Sequence, residues 1–145
     1  MKKLFVALTC AAVILSSSLG FAAVDGSRIA LGSISPGISV NDLINAFGQP
    51  TYKDGDDWTY KNFKVEVERG IVKEVSTCSV TIITPNRIRV GQTAEALNST
   101  FGKADKVDVD RDDTEYKYYS NDRTKKIEFK VVNGIISRIT CELND

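Results

Sequence analysis

The chain has 145 residues, and its 19 Lys and Arg are balanced by 19 Asp and Glu. That balance leaves no basic excess to draw nucleic acid or an anionic membrane by counterion release. Histidine is absent, which excludes Ser-His-Asp and Cys-His catalysis, histidine acid-base chemistry and most zinc sites.

The N-terminus reads as a secretory signal peptide, residues 1–22. Lys2 and Lys3 precede a nearly unbroken apolar run from Leu4 to Leu15, and Gly20-Phe21-Ala22 places small residues at the cleavage-determining positions. An uncleaved anchor would need roughly 20 apolar residues to span a bilayer, and this run is shorter. Cys10 lies inside the apolar core and so does not occupy the position of a lipid-bearing cysteine. The rest of the chain is expected to be exported, to the periplasm or the medium, with no membrane insertion after cleavage. Without Lys2 and Lys3 it carries 17 basic and 19 acidic residues.

Beyond the signal segment the chain writes one stretch twice. Gly37 to Pro50 reads Gly-Ile-Ser-Val-Asn-Asp-Leu-Ile-Asn-Ala-Phe-Gly-Gln-Pro, and Gly91 to Ala104 repeats its plan. Ser39 is an N-cap, with Asp42 three residues later as in a capping box. Val40, Leu43, Ile44 and Phe47 fall on one helical face. Gly48 supplies a left-handed stop and Pro50 forbids continuation. In the second copy Thr93 is the N-cap, Glu95 lies in the first turn, and Ala94, Leu97 and Phe101 line the apolar side. A short strand is expected ahead of each copy, at Arg28–Gly32 and Ile88–Val90.

Alternating segments succeed each helix. In the first repeat, Trp58 and Tyr60 alternate with Thr59 and Lys61, and Phe63, Val65 and Val67 alternate with Lys64 and Glu66. Arg69-Gly70 is a tight turn, and Ile71–Val75 returns, with Thr77–Ile83 continuing extended. In the second repeat, Tyr116 and Tyr118 take the places of Trp58 and Tyr60. Ile127, Phe129 and Val131 alternate, Asn133-Gly134 turns, and Ile135–Cys141 returns. The expected fold class is α+β. It consists of two tandem repeats, 23–84 and 85–145, each a short helix plus an antiparallel three-stranded meander. Together they form one antiparallel sheet with helices on one face.

These residues resemble the SmpA/OmlA (BamE-like) family and the related β-lactamase inhibitory protein. The resemblance rests on Gly37 to Pro50 with Trp58, Tyr60 and Gly70, and on Gly91 to Ala104 with Tyr116, Tyr118 and Gly134. It implies an exported, non-enzymatic module that binds another protein, serving in envelope assembly or as an enzyme inhibitor. The chain departs from the first group in lacking a lipobox cysteine. It departs from the second in having a single cysteine per repeat.

Four side-chain sets are candidates for function. Cys78 and Cys141, an even pair in an exported chain, suggest a disulfide. Two buried free thiols are the alternative, and strict strand alternation aims the two side chains apart unless a bulge lies between Val75 and Val80. Asp108, Asp110 and Asp112 resemble the start of a calcium loop, but Asp113 stands where glycine is required and Tyr119 where glutamate is. A solvated connection is the plainer reading, with no cofactor expected. Trp58, Tyr60, Tyr116 and Tyr118 either pack beneath the helices or form a sticky sheet surface. Tyr119 points opposite to Tyr118, so one of the two must face away from the core. The expectation is a monomeric protein-binding module. A small-ligand or calcium-binding envelope protein is the second reading.

Overall fold

The computed structural model describes residues 24–145; the expected signal peptide and Cys10 lie outside them. Capping chemistry sets where both helices begin. Ser39 Oγ accepts the Asp42 N–H at 3.1 Å and donates to the Asp42 carboxylate at 2.7 Å, opening α1 (Val40–Phe47). Thr93 accepts the Ala96 N–H at 3.2 Å to open α2 (Ala94–Phe101). Gly48 and Gly102, at φ of 76° and 73°, end the two helices in a region that other residues reach only with strain. Helices of two turns do not persist alone in water. Each is held at its start by a hairpin tip: Val40 N–H donates to the Gly70 carbonyl and Ala94 N–H to the Gly134 carbonyl, both at 3.0 Å. Each is held along its length by buried Leu43 or by Leu97 and Phe101.

Eight strands form one antiparallel sheet: β1 (Tyr52–Asp54), β2 (Asp57–Thr59), β3 (Lys64–Glu68), β4 (Ile71–Thr77), β5 (Lys106–Val109), β6 (Thr114–Tyr119), β7 (Lys125–Val132) and β8 (Ile135–Leu143). Their order is β1-β2-β3-β4-β8-β7-β6-β5. This corrects the expected fold class. Residues 24–145 form a single eight-stranded sheet with two short α-helices, and not an α+β tandem of three-stranded meanders. The added strands are the two edges, β1 and β5. β1 is Tyr-Lys-Asp, wholly exposed, so it carries no apolar alternation to betray it. β5 reads Lys-Val-Asp-Val and does alternate, but its aspartate belongs to the string that resembles a calcium loop.

Apolar side chains crowd one face of the sheet. Val65, Val75, Cys141, Ile127 and Tyr118 are successive cross-strand partners, and all five are buried. A layer of helix and loop covers them. The loops contribute Ile29, Leu31, Ile34, Ile88 and Val90, all buried. The expected lead strands are these loops. Gly26–Arg28 is a 3-10 turn, Leu31 and Ile34 form one isolated bridge, and Ile88–Val90 is irregular. They bury apolar side chains without joining the sheet.

The halves meet at a short seam. β4 and β8 share four residue pairs, from Glu74 with Glu142 to Thr77 with Ile139. Their first residues diverge, and each pairs instead with the chain entering its own helix. Gly37 N–H donates to the Val72 carbonyl at 2.7 Å and Gly91 N–H to the Ile136 carbonyl at 2.9 Å. After Thr77 the chain leaves the sheet, so Thr77–Ile83 is not a continuing strand. That exit also decides the cysteines. Cys141 faces the core opposite Val75, whereas Cys78 lies beyond the end of β4 and is exposed; both are free, and the expected bridge is not formed. Burial pushes the Cys141 thiol far above its ordinary range.

Candidate functional site

Strand alternation that buries one face delivers the other face to solvent. On this sheet the second face is uncovered across all eight strands, a width of about 34 Å at the usual strand spacing. None of its side chains is buried. Cross-strand register sorts them into rows. One row runs Asp54, Asp57, Glu66, Glu74, Glu142, Lys126, Tyr119, crossing from β1 to β6. The next runs Tyr52, Thr59, Lys64, Ser76, Thr140, Glu128, Lys117, Lys106.

The two halves of this face handle charge differently. On β5–β8 acids and bases interleave. Lys117 lies 3.2 Å from Asp108, 3.5 Å from Glu115 and 3.6 Å from Glu128. Lys126 bridges Glu128 and Glu142, and Lys130 meets Asp113 at 2.8 Å. Burial alone would lower the Lys126 ammonium, but Glu142 and Glu128 reverse that and hold it above its ordinary range. On β1–β4 four acids, Asp54, Asp57, Glu66 and Glu74, succeed one another in a single row that continues to Glu142 on β8, and among the described residues Asp57, Glu66 and Glu74 form no ion pair. Like charges directly opposite one another destabilise a sheet. The strain registers at Glu74. Burial, the facing Glu142 carboxyl that shares a hydrogen bond with it, and nearby Glu66 and Glu128 push the Glu74 carboxyl up to about 7. Beside it a depression of about 320 Å³ opens between Glu66, Glu74, Glu142, Lys73 and Lys126.

The five aromatic candidates do not gather on one surface. Tyr60 and Tyr118 are interior, at 7% and 0% exposure. Their hydroxyls donate to the carbonyls of Gly48 at 3.0 Å and Gly102 at 2.9 Å, tying each strand to the end of its helix. Trp58 and Tyr116 are half-buried on the helix side, packed against the core at opposite flanks. The Lys53 ammonium sits 3.7 Å above the Trp58 ring. Tyr119 alone of the five lies on the open face, with the Arg123 guanidinium 4.6 Å above its ring. Its companion there is Tyr52, 63% exposed at the β1 edge.

The acidic string takes ordinary structural roles. Asp108 lies on the open face between Lys117 and Lys106, whose hydrogen bonds hold its carboxyl below the usual range. Asp110 N–H donates to the Asp113 carbonyl at 2.9 Å and closes the β5–β6 hairpin, whose tip carries Asp112. Among the described residues no cluster of His, Cys, Asp and Glu is placed to hold a metal ion.

The acidic row was missed because it needs register. Period-two alternation shows that Lys64, Glu66 and Glu68 face away from Val65 and Val67. Only the long-range seam sets Glu74 against Glu142.

No family model matches the sequence, and no curated protein does. Solved structures share its fold. A DUF4309 family protein (YjgB) from Bacillus subtilis superposes with a TM-score of 0.54 at 14% identity, over 72% of this chain and 78% of that one. An extracellular protein containing an SCP domain from Bacillus anthracis superposes with a TM-score of 0.57 at 8% identity, over 75% of this chain. The match covers 44% of that longer protein. Neither is a SmpA/OmlA-like protein or a β-lactamase inhibitory protein. Among the described residues no helix is long and apolar enough to cross a membrane.

Proposed function

We propose that the chain is an exported, non-catalytic module that binds another protein through the open face of its sheet. The observation that carries this reading is the acidic row Asp57, Glu66 and Glu74, none of them ion-paired among the described residues, on an otherwise uncovered surface. A row of like charges lowers stability and contributes nothing to the core, and such local conflicts concentrate at functional sites. A basic partner surface laid across β2–β4 supplies the missing counter-charges. Tyr52 and Tyr119 flank the area at either side and offer the amphipathic rings that anchor many interfaces. Export is supported by the Lys2–Ala22 segment and by the extracellular character of one protein of the same fold. The absence of histidine supports a non-catalytic role. Whether the partner belongs to envelope assembly or is an inhibited enzyme depends on its identity.

Site-specific photo-crosslinking tests the proposal. A photoreactive residue is placed at Glu66 or at Tyr119 on the open face, or at exposed Asn98 on α2. Each variant is then exposed to envelope extract and culture medium. The expected result is one shared product from the first two positions and none from the third. Products from Asn98 alone, or from no position, would overturn the reading.

A further inference from the structure

The two edges of the sheet are unlike, and the difference concerns which residues turn their backbone groups outward. Along an edge strand every second residue points its N–H and C=O away from the sheet. Val67 N–H donates to the Asp56 carbonyl at 2.8 Å and Tyr60 N–H to the Phe63 carbonyl at 2.9 Å. The backbone groups of Asp57 and Thr59 therefore face β1, where their partners are Asp54 and Tyr52. Lys53 is left as the one β1 residue that faces outward, and a lysine on an edge discourages pairing with another chain. At the other end, Asp110 N–H donates to the Asp113 carbonyl. By alternation Asp108 and Lys106 turn toward β6, and Val107 and Val109 turn their backbone groups outward. These valines are 46% and 76% exposed. One edge is guarded by a charge, and the other presents two bare valines.

We propose that β5 pairs edge to edge with β5 of a second copy of this chain. The charge pattern selects one antiparallel register. With Val107 opposite Val107 of the second copy, the outward N–H and C=O of both residues meet as a hydrogen-bonded pair. Lys106 then stands directly opposite Asp108 of the second copy, and Asp108 opposite its Lys106. All four lie on the open face, where Lys106 and Asp108 of one copy are already 3.3 Å apart. Signs then alternate around the twofold axis. Shifting the register by two residues sets Asp108 against Asp108 of the second copy, which like-charge repulsion disfavours. On the helix side the two Val107 side chains pack together beside the depression between α2 and β5 that Tyr116 and Ala104 line. The product is a twofold dimer in which the two sheets run on as one. The edge lies apart from the acidic row, so this pairing holds or fails independently of the partner-binding proposal.

Sedimentation velocity across micromolar to millimolar concentrations tests it on the purified protein. The expected result is a mass that rises from one chain to two. Val107→Pro removes an outward donor while leaving the β6 ladder intact, and Val107→Lys sets two like charges directly opposite one another at the twofold axis. Each is expected to hold the protein monomeric. Lys106→Asp sets acids against Asp108 twice in the dimer and is expected to weaken association roughly tenfold. Adding Asp108→Lys restores it. Lys53→Pro, on the opposite edge, is expected to leave association unchanged. Circular dichroism confirms that each variant is folded. A wild type that stays monomeric throughout overturns the pairing, as does a dimer that survives both valine substitutions. A monomeric chain whose β5 cross-links to a different protein assigns the edge to a foreign strand and overturns it equally.

Discussion

The β1–β4 and β5–β8 halves share their scaffold contacts and differ in nearly everything else. In both, a helix is hooked to a hairpin tip and a buried tyrosine hydroxyl holds the carbonyl of the glycine that ends it. In the second half Phe101 is 2% exposed, and its ring lies 5.2 Å from Tyr118 and 5.1 Å from Phe129. Its counterpart Phe47 is 40% exposed, and among the aromatic rings of the described residues it meets Phe63 alone, edge-on at 5.2 Å. The open face repeats the contrast, with interleaved ion pairs on one half and, on the other, a row in which Asp57, Glu66 and Glu74 form no ion pair although Lys73 meets Glu68 at the end of β3. Backbone hydrogen bonds thus define the fold in both halves, and side chains then divide the labour. One half concentrates packing and the other concentrates unbalanced charge.

The largest expected effect breaks the comparison in the core. Phe101→Ala is expected to cost about 3–5 kcal/mol of stability, because it opens a cavity within an aromatic cluster. Phe47→Ala should cost about 1 kcal/mol, since much of that ring is already in solvent. Urea unfolding of both variants measures the difference, and equal losses would remove the claim that the second half is the better packed.

A second prediction concerns the shared hydroxyls. Tyr118→Phe leaves the Gly102 carbonyl without its donor and should cost about 1 kcal/mol. Tyr60→Phe should cost less, because water reaches Tyr60 more readily. A larger loss at Tyr60 would contradict the assigned order.

Glu74 sharpens the electrostatic contrast. Its folded-state pKa of about 7 lies above the ordinary 4.5. The folded state therefore holds a proton that the unfolded state has lost. Stability contributed by this group is full below about 4.5, falls as pH rises and is gone above about 7. Glu74→Gln should remove that slope and stabilise the protein at pH 8 by about 1 kcal/mol, a figure discounted for the solvent-exposed side of the group. Thermal melts from pH 4 to pH 8 read this directly. An unchanged slope would place the titration elsewhere.

The smallest effect is chemical. Among residues 24–145, Cys78 should react with a thiol reagent at once and Cys141 only on unfolding, because one is exposed and the other buried. Two unreactive sulfurs before reduction would indicate a bridge and contradict the free pair.

How much of this the sequence disclosed depends on the range of the interaction. Both helices were legible because Ser39, Thr93, Gly48 and Gly102 act within a few residues. The hairpins at Gly70 and Gly134 were legible for the same reason. The edge strands were not, since Tyr52–Asp54 has no buried side and Lys106–Val109 contains Asp108, the first residue of an acidic string that invites a different reading. Nor were the loops at Ile29–Ile34 and Ile88–Val90, whose apolar residues look like strand yet only roof the core. The site was least legible. An aromatic pair separated by one residue cannot show whether it faces in or out, and Tyr60 and Tyr118 turned out to be interior. The acidic row depends on pairing Glu74 with Glu142, which are 68 positions apart in the chain.

The most direct test of the acidic face is partner capture by matched variants. Glu66→Gln with Glu74→Gln neutralises the row on β3 and β4 and relieves repulsion, so it does not act by unfolding the chain. Lys117→Gln with Lys130→Gln removes two charges from the β6–β7 side. Quantitative capture from envelope extract should be lost in the first pair and retained in the second. Capture that survives the first pair, or fails only in the second, would contradict the account.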